Sequence, residues 1–338
     1  MNEIRDFSIL ELENFLEGIN EKKFRAKQIF KWIHTGITDF DEMTDLSKNL
    51  RQRLKTYFYI ENMSIETKAA SKDGTVKYLL KLLDGNLIEC VLMRYEYGNS
   101  ICLSTQAGCS MGCSFCASTI GGKVRNLTAG EMLGQILTIM KDQNIKINNI
   151  VLMGTGEPLD NFENVIKFLN IVNDPNGINI GMRHITLSTC GLVPEIKRLA
   201  ELKLQITLAI SLHAPNDDIR KNIMPVAKKY GLDELLDACR YYTEMTNRRI
   251  TFEYALMQGI NDSVENAYEL ARRLDGILCH VNLIPINPIM EREYEKPNKF
   301  RIEQFKDVLT SSGINATIRR ELGSDIDAAC GQLRRRHM

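Results

Sequence analysis

The sequence predicts an α/β protein, a partial (β/α)6 TIM-like barrel preceded by a small N-terminal α+β accessory domain. After residue 98, six short β-rich runs alternate with helical segments, the pattern of a parallel sheet. Before residue 95 the chain shows helical periodicity, then strand alternation broken at Asp73-Gly74 and Asp84-Gly85, the turn chemistry of hairpins. With 44% hydrophobic and 25% charged residues over 338 positions, the chain can bury one large core or two smaller ones. The expected division is residues 1–95 and 96–338.

In the first part, "SILELENFLEGIN", "FRAKQIFKWIHTG" and "LSKNLRQRLKTYF" repeat apolar residues at helical spacing and close on polar or glycine signals. They predict a small helical unit. The alternation through "SIETKAASKDGTVKYLLKLLDGNLIECVLMRY" predicts two or three antiparallel strands. In the second part the strand runs are "ICLSTQ" from Ile101, "INNIVLMG" from Ile147, "HITLSTCG" from His184, "QITLAISLH" from Gln205, "RITFEYALMQG" from Arg249 and "HVNLIPINP" from His280. Barrels of this kind keep their chemistry at the C-terminal ends of the strands. Those ends read "QAGC", "GTGEP", "STCG", "SLHAP" and "PINP", with more Gly, Pro and polar side chains than a simple turn requires.

The 43 basic and 43 acidic residues cancel, so overall charge announces neither a nucleic-acid nor a membrane partner. Such a partner must be held by local patches. The N-terminus carries acids and no signal-peptide core, and no stretch approaches the ~18 uninterrupted apolar residues of a membrane span. The expectation is a cytoplasmic protein with no membrane partner. In a reducing cytosol the default for each of the nine cysteines is a buried thiol acting as a small hydrophobe.

Three of those cysteines crowd into eight residues, "CSMGCSFC", immediately after the first barrel strand. Gly108 and Gly112 let this loop wrap a compact inorganic centre. A structural zinc site needs a fourth ligand, and within thirty residues on either side the remaining Cys or His residues are Cys90 and Cys102, on or beginning strands. A [4Fe-4S] cluster held by Cys109, Cys113 and Cys116 alone leaves one iron open to bind a substrate or cofactor. This spacing, with Phe115 before the last cysteine, resembles the radical S-adenosylmethionine (SAM) superfamily. The resemblance implies SAM chelated at the open iron and cleaved to a 5'-deoxyadenosyl radical.

Beside that motif, "MGTGEP" resembles the superfamily's glycine-rich SAM-binding element. Gly156 would admit a close backbone approach, and Glu157 would accept from the SAM ammonium as a charge-assisted pair. Ser188, Ser211, Leu212, His213 and Asn287 supply hydroxyl, backbone, imidazole and amide groups at three further strand ends, suited to a ribose and an adenine edge. Taken singly, each is more often a satisfied turn residue than a ligand, and His213 more often a structural histidine. Cys330, in "DIDAACGQL", lies among small residues that let a thiol approach other groups closely.

Together "DIDAACGQL", "SLHAPND", "GTGEPLDN", "STQAGCSMGCSFC" and "FRAKQIFKWIH" resemble the dual-specificity radical SAM RNA methyltransferases, which modify adenosine carbon 2 in large-subunit rRNA and in tRNA. The resemblance covers nearly the whole chain. It implies two SAM molecules per turnover: one methylates Cys330, and the other yields the radical that activates that S-methyl group for addition to adenine. It further implies that Cys102 closes a transient disulfide with Cys330 as product leaves, and that Glu89, in "LIECV", is the proton acceptor. The implied partners are 23S rRNA, tRNA and an electron donor such as flavodoxin or ferredoxin, with the enzyme a monomer. Without the resemblance, Cys102 reads as a buried strand cysteine and Glu89 as the polar face of an edge strand.

The candidate phosphate contacts are "EKKFRAK", "RQRLK", Arg319 with Arg320, and "RRRH" at 334–337; each run is otherwise a solvated face. Two alternatives stand beside the leading reading. One is a carbon-8 rRNA methyltransferase that confers antibiotic resistance, against which Pro158 matches the carbon-2 group. The other is a non-catalytic, metal-stabilised RNA-binding protein.

Overall fold

The structure, a computed structural model, describes residues 1–287, 292–326, 328 and 332. Three helices open the chain: α1 (Ile9–Gly18), α2 (Arg25–Ile33) and α3 (Lys48–Tyr57). A capping box between Ser8 and Glu11 starts α1, and the Ser47 side chain caps α3. α2 buries Ala26, Ile29, Phe30 and Ile33, the i, i+3, i+4, i+7 stripe that its sequence spacing predicts. A short parallel pair, Asn2–Glu3 with Phe58–Tyr59, closes this unit. It docks onto the rest through Asp6, which accepts the Gly130 N–H at 2.6 Å, and through a Lys167 to Glu11 ion pair at 2.7 Å.

The remainder is built on one ten-stranded sheet whose strand order follows the chain: β1 (Ser64–Ala70), β2 (Val76–Lys81), β3 (Leu87–Tyr95), β4 (Gly98–Cys102), β5 (Asn149–Leu152), β6 (Ile185–Thr189), β7 (Thr207–Ser211), β8 (Ile250–Leu256), β9 (Cys279–Pro285) and β10 (Ala316–Ile318). β1 to β4 are antiparallel, turning at Asp73-Gly74 and Asp84-Gly85 as expected. From β4 to β10 every pairing is parallel. The edge strands β1 and β10 are not paired with each other, so the barrel is open.

The crossovers are α4 (Ala129–Gln143), α5 (Phe162–Asn173), α6 (Val193–Glu201), α7 (Asp217–Ile223), α8 (Leu232–Thr246), α9 (Val264–Leu274) and α10 (Lys299–Ser311). Their apolar faces and the outer face of the sheet form one core that runs from Ile4 and Leu12 to Leu309. Central strands are apolar on both faces, as in Leu208, Ala209 and Ile210, because both faces of a parallel sheet are covered.

Two details go beyond the sequence reading. A seventh parallel strand, β10, adds to the six expected; it is three residues long, too short to show a period of two. The expected boundary after residue 95 falls in the turn between β3 and β4, where ladder pairs such as Arg94 with Asn99 and Val91 with Cys102 continue the sheet. Among the described residues, no helix is long and apolar enough to cross a membrane.

Candidate active site

β4 ends at Cys102, and the chain then runs through a clasp in which Gln106–Gly108 pairs antiparallel with Lys123–Asn126. The cysteine loop is held in this clasp. Gly108 has φ +82°, and a Cβ there would sit 1.9 Å from the Gly122 carbonyl oxygen, so only glycine closes the clasp. The loop is tied down by the Thr119 hydroxyl donating to the Cys116 carbonyl at 2.9 Å and by the Ser114 N–H donating to Ile223 O at 2.9 Å.

Cys109, Cys113 and Cys116 line one cavity at the C-terminal ends of the strands, about 990 Å³ in extent and open to solvent. Burial pushes the Cys109 thiol up to about 12 and Cys113 further still, so a cation that takes these thiolates must displace their protons. Among the described residues no group of three His, Cys, Asp or Glu side chains gathers to hold one metal ion. A cubane spreads its thiolates over different irons, so three thiols that share a cavity without converging on one point fit it.

Gly156, Glu157, Ser188, Ser211, His213 and Asn287 line the same cavity. At Gly156, φ is +111° and a Cβ would lie 2.7 Å from the Gln106 Cβ, so this turn packs directly on the clasp. Glu157 is buried, its two carboxylate oxygens accepting the N–H groups of Leu159 at 3.0 Å and Cys190 at 2.8 Å. Desolvation raises its carboxyl above the usual range, against those hydrogen bonds. The cavity would welcome a cation beside it.

His213 adopts φ +58°, uncommon for a residue with a Cβ. Its Nδ1 accepts the Ala255 N–H at 2.9 Å, and burial with the nearby Arg220 charge lowers its pKa to about 3. The ring is therefore neutral with its proton on Nε2, a donor, and Phe115 packs edge-on against it at 4.9 Å. Leu212 is buried; its N–H donates to Glu253 O at 3.0 Å and its carbonyl accepts from Arg220 Nε at 3.1 Å. Its side chain is not part of the cavity lining.

A second cavity adjoins the first, with Met153, Ile284, Asn287 and Arg319 common to both. It is lined by Cys102 and by Ala328, which also share one apolar cluster with Val91 and Met93. Cys330 lies outside the described residues, as does the "RRRH" run. Glu89 is buried on β3, two residues before Val91 on the same strand face, and forms an ion pair with Lys77 at 3.2 Å.

Three residues near these cavities escaped the sequence reading. Arg220, fully buried, donates to Leu212 O at 3.1 Å and to Cys190 O at 2.7 Å, pinning the ends of β6 and β7; nothing in the local run "NDDIR" sets it apart. Asn261 donates to His213 O and Ala255 O, both at 2.7 Å, and fixes the left-handed turn. Glu253 lines the first cavity, raised by desolvation, and accepts from Asn282 at 2.9 Å. A lone acid inside the apolar run "RITFEYALMQG" was its signal.

The basic runs of the helical unit are largely satisfied within the chain. Arg51 donates to Asp41 O at 2.6 Å, Arg53 pairs with Glu21 at 3.1 Å, and Lys55 bridges Asp39 and Asp41. In "EKKFRAK", Lys23 pairs with Glu17 and Arg25 with Gln28.

Comparison with known proteins adds to this geometry. Residues 2–60 match the ribosomal RNA large subunit methyltransferase N-terminal domain, and residues 103–271 match the radical SAM superfamily. The chain is 59% identical, over 99% of its length and 98% of the other's, to a protein of Alkaliphilus oremlandii named "Probable dual-specificity RNA methyltransferase RlmN". It is 57% identical, over 100% of its length and 99% of the other's, to a Clostridium novyi protein of the same name. A radical SAM methyltransferase structure from Sphaerobacter thermophilus superposes with a TM-score of 0.94 at 45% identity, covering 99% of each chain. A cysteine-lined barrel mouth preceded by this N-terminal unit, with relatives so alike along their full length, makes the chain a member of the RlmN family of radical SAM RNA methyltransferases.

Proposed function

We propose that this enzyme methylates carbon 2 of adenosine in 23S rRNA and in tRNA. The observation that carries the reading is the joining of two cavities, one lined by the three cluster cysteines and the polar strand ends, the other by Cys102 and Ala328 two residues before Cys330. With a [4Fe-4S] cluster on Cys109, Cys113 and Cys116 and SAM at its open iron, the site supplies a 5'-deoxyadenosyl radical. Glu157 accepts from the SAM ammonium, a cation that offsets the cost of its own desolvation. Ser188, Ser211, His213 through Nε2–H, and Asn287 offer polar groups to the ribose and adenine, while Leu212 shapes the turn that presents His213.

Cys330 carries the methyl group, because the amidine carbon of adenine is a poor nucleophile and cannot take a methyl cation from the SAM sulfonium directly. Its S-methyl group would give a hydrogen atom to the 5'-deoxyadenosyl radical, and the resulting methylene radical would add to carbon 2, leaving the unpaired electron on the adenine ring. Glu89 takes the proton from that carbon. The Cys102 thiolate would then attack the Cys330 sulfur and form the disulfide as the carbon–sulfur bond breaks; the released methylene would take up a proton to become the methyl group, and the surplus electron would return to the oxidised cluster. Residues 1–95 serve as the RNA-binding accessory domain and 96–338 as the catalytic domain. The enzyme works in the cytoplasm as a monomer, reduced by a flavodoxin or ferredoxin.

Pro158, which opens a turn on the cavity wall, favours carbon 2 over the carbon-8 group, where alanine is typical. Family membership weighs against a non-catalytic RNA-binding protein, whose zinc form would be colourless where an iron–sulfur protein is brown. The test is mass spectrometry of adenosines from RNA treated with reconstituted enzyme, SAM and a reductant, resolving the 2-methyl and 8-methyl isomers. 2-Methyladenosine in both RNAs is expected; the 8-methyl isomer, or none, would overturn the reading.

A further inference from the structure

The turn between β3 and β4 carries a feature that the chemistry above leaves unused. There the Tyr97 ring stacks on the Tyr95 ring, with centroids 4.8 Å apart and planes 10° from parallel. Tyr95 is half-buried, packs against the apolar cluster of Val91, Met93 and Cys102, and lines the Cys102 cavity. Tyr97 is 72% exposed. The outer ring is thus supported on one face by a second ring and accessible to solvent, an aromatic platform at the mouth of the Cys102 cavity. Arg319 and the exposed Arg320 line the same cavity as Tyr95, which places guanidinium groups on the route from this stack to Cys102.

We propose that Tyr97, backed by Tyr95 and assisted by Arg320, is a subsite for an unpaired nucleotide adjacent to the target adenosine in the RNA. The proposal rests on the RNA-methylation reading above. An adenine whose carbon 2 must reach a cavity has to leave its stack, at a cost of a few kcal/mol, and it leaves a neighbouring base with an uncovered face. The open face of Tyr97 replaces that lost stacking partner, and Arg320 takes the neighbouring phosphate. Stacking on an aromatic ring tolerates any base, because every base has a π-face. That tolerance suits one site that must accept two RNAs of different sequence, where hydrogen-bond readout of a flanking base would reject one of them.

The experiment measures RNA affinity by fluorescence anisotropy over a range of salt, using full-length reconstituted enzyme with a 23S rRNA fragment and an unmodified tRNA. Thermal unfolding of each variant checks the fold. Tyr97→Ala is expected to weaken binding of both RNAs about tenfold and leave the salt slope unchanged, since no phosphate contact is lost. Tyr97→Phe, which keeps the ring, is expected to bind as the parent does. Arg320→Gln is expected to weaken binding and lower the slope by about one. Parent-like binding by Tyr97→Ala, or equal losses in Tyr97→Ala and Tyr97→Phe, overturns the stacking subsite while the RNA-methylation reading stands. A parent enzyme that binds neither RNA overturns that reading and the subsite with it.

Discussion

Asp73, in the turn between β1 and β2, accepts the backbone N–H of Gly323 at 2.9 Å, joining points 250 residues apart in the chain. The link is reciprocal: Asp325 accepts the Lys72 N–H at 3.4 Å and a hydrogen bond from Ser71. Burial pushes the Asp73 carboxyl up, but the N–H groups of Gly323 and Thr75 and the hydroxyls of Thr75 and Ser71 bring it down to about 2. Gly323 fits this junction because a Cβ there would lie 2.8 Å from Ala328 Cβ and 2.9 Å from Thr75 Cγ2. A hairpin of the N-terminal part thus holds the segment that leads through Ala328 to Cys330.

The first prediction follows from that clamp. Asp73→Ala frees the C-terminal segment without touching the cluster loop, so RNA methylation is expected to fall several-fold while iron content stays constant. The ratio of 5'-deoxyadenosine to methylated adenosine should rise, because radical formation no longer coincides with a correctly held methyl carrier. Asp73→Asn keeps an acceptor and should fall between. A ratio equal to the parent's in Asp73→Ala would refute the positioning role.

The clamp also shows where the sequence ceased to be legible. The Asp73-Gly74 and Asp84-Gly85 turns, the six principal parallel strands and the cysteine triplet are local signals, carried within a few residues each. The partner of Asp73 is a matter of tertiary approach and leaves no local trace. The same holds for Arg220, whose helical spacing in "NDDIR" is that of a solvated cation, although the folded chain buries it against the carbonyls of Cys190 and Leu212. Of the expected cavity groups, those at strand ends were readable because a parallel sheet delivers every C-terminal end to one rim. Leu212 stands one residue off that alternation and turns away.

The second prediction concerns pH. His34, at the end of α2, is buried against Phe30 at 4.2 Å and accepts the Ile178 N–H on Nδ1 at 3.2 Å, fastening the helical unit to the barrel. Burial lowers its pKa from 6.5 to about 4, with Asp174 opposing in part. The folded pKa lies below the unfolded one, so its contribution is present above pH 6.5 and lost as pH falls toward 4. At about 1.4 kcal/mol per pH unit, the loss is on the order of 3 kcal/mol. Thermal midpoints measured from pH 7 to 4 should fall more steeply for the parent than for His34→Leu, and parallel curves would contradict the assignment.

The third prediction tests the clasp. Cys109→Ala, Cys113→Ala or Cys116→Ala should abolish iron retention and SAM cleavage, because two thiolates cannot hold a cubane with one open iron. Gly108→Ala retains all three thiols but drives a methyl group into the Gly122 carbonyl, so the clasp must open. Iron assays and visible absorbance after anaerobic reconstitution are expected to show little or no cluster. Full iron loading of Gly108→Ala would mean that the clasp does not shape the cluster site.

The last prediction separates Cys330 from Cys102. Cys330 is proposed to carry the methyl group, so Cys330→Ala has nothing to activate; SAM cleavage can persist uncoupled, with neither modified RNA nor a protein–RNA crosslink. Cys102, on the wall of the second cavity, is needed when the adduct resolves. Cys102→Ala should therefore accept a methyl group on Cys330, form the adduct and stall with RNA attached. Alkylation and radical addition need one sulfur, whereas breaking the carbon–sulfur link needs a second thiol to take up the first as a disulfide. Denaturing gels of labelled RNA incubated with each variant, SAM and reductant read both outcomes. A crosslink with Cys330→Ala, or free methylated RNA at the parent rate from Cys102→Ala, would reverse the assigned roles.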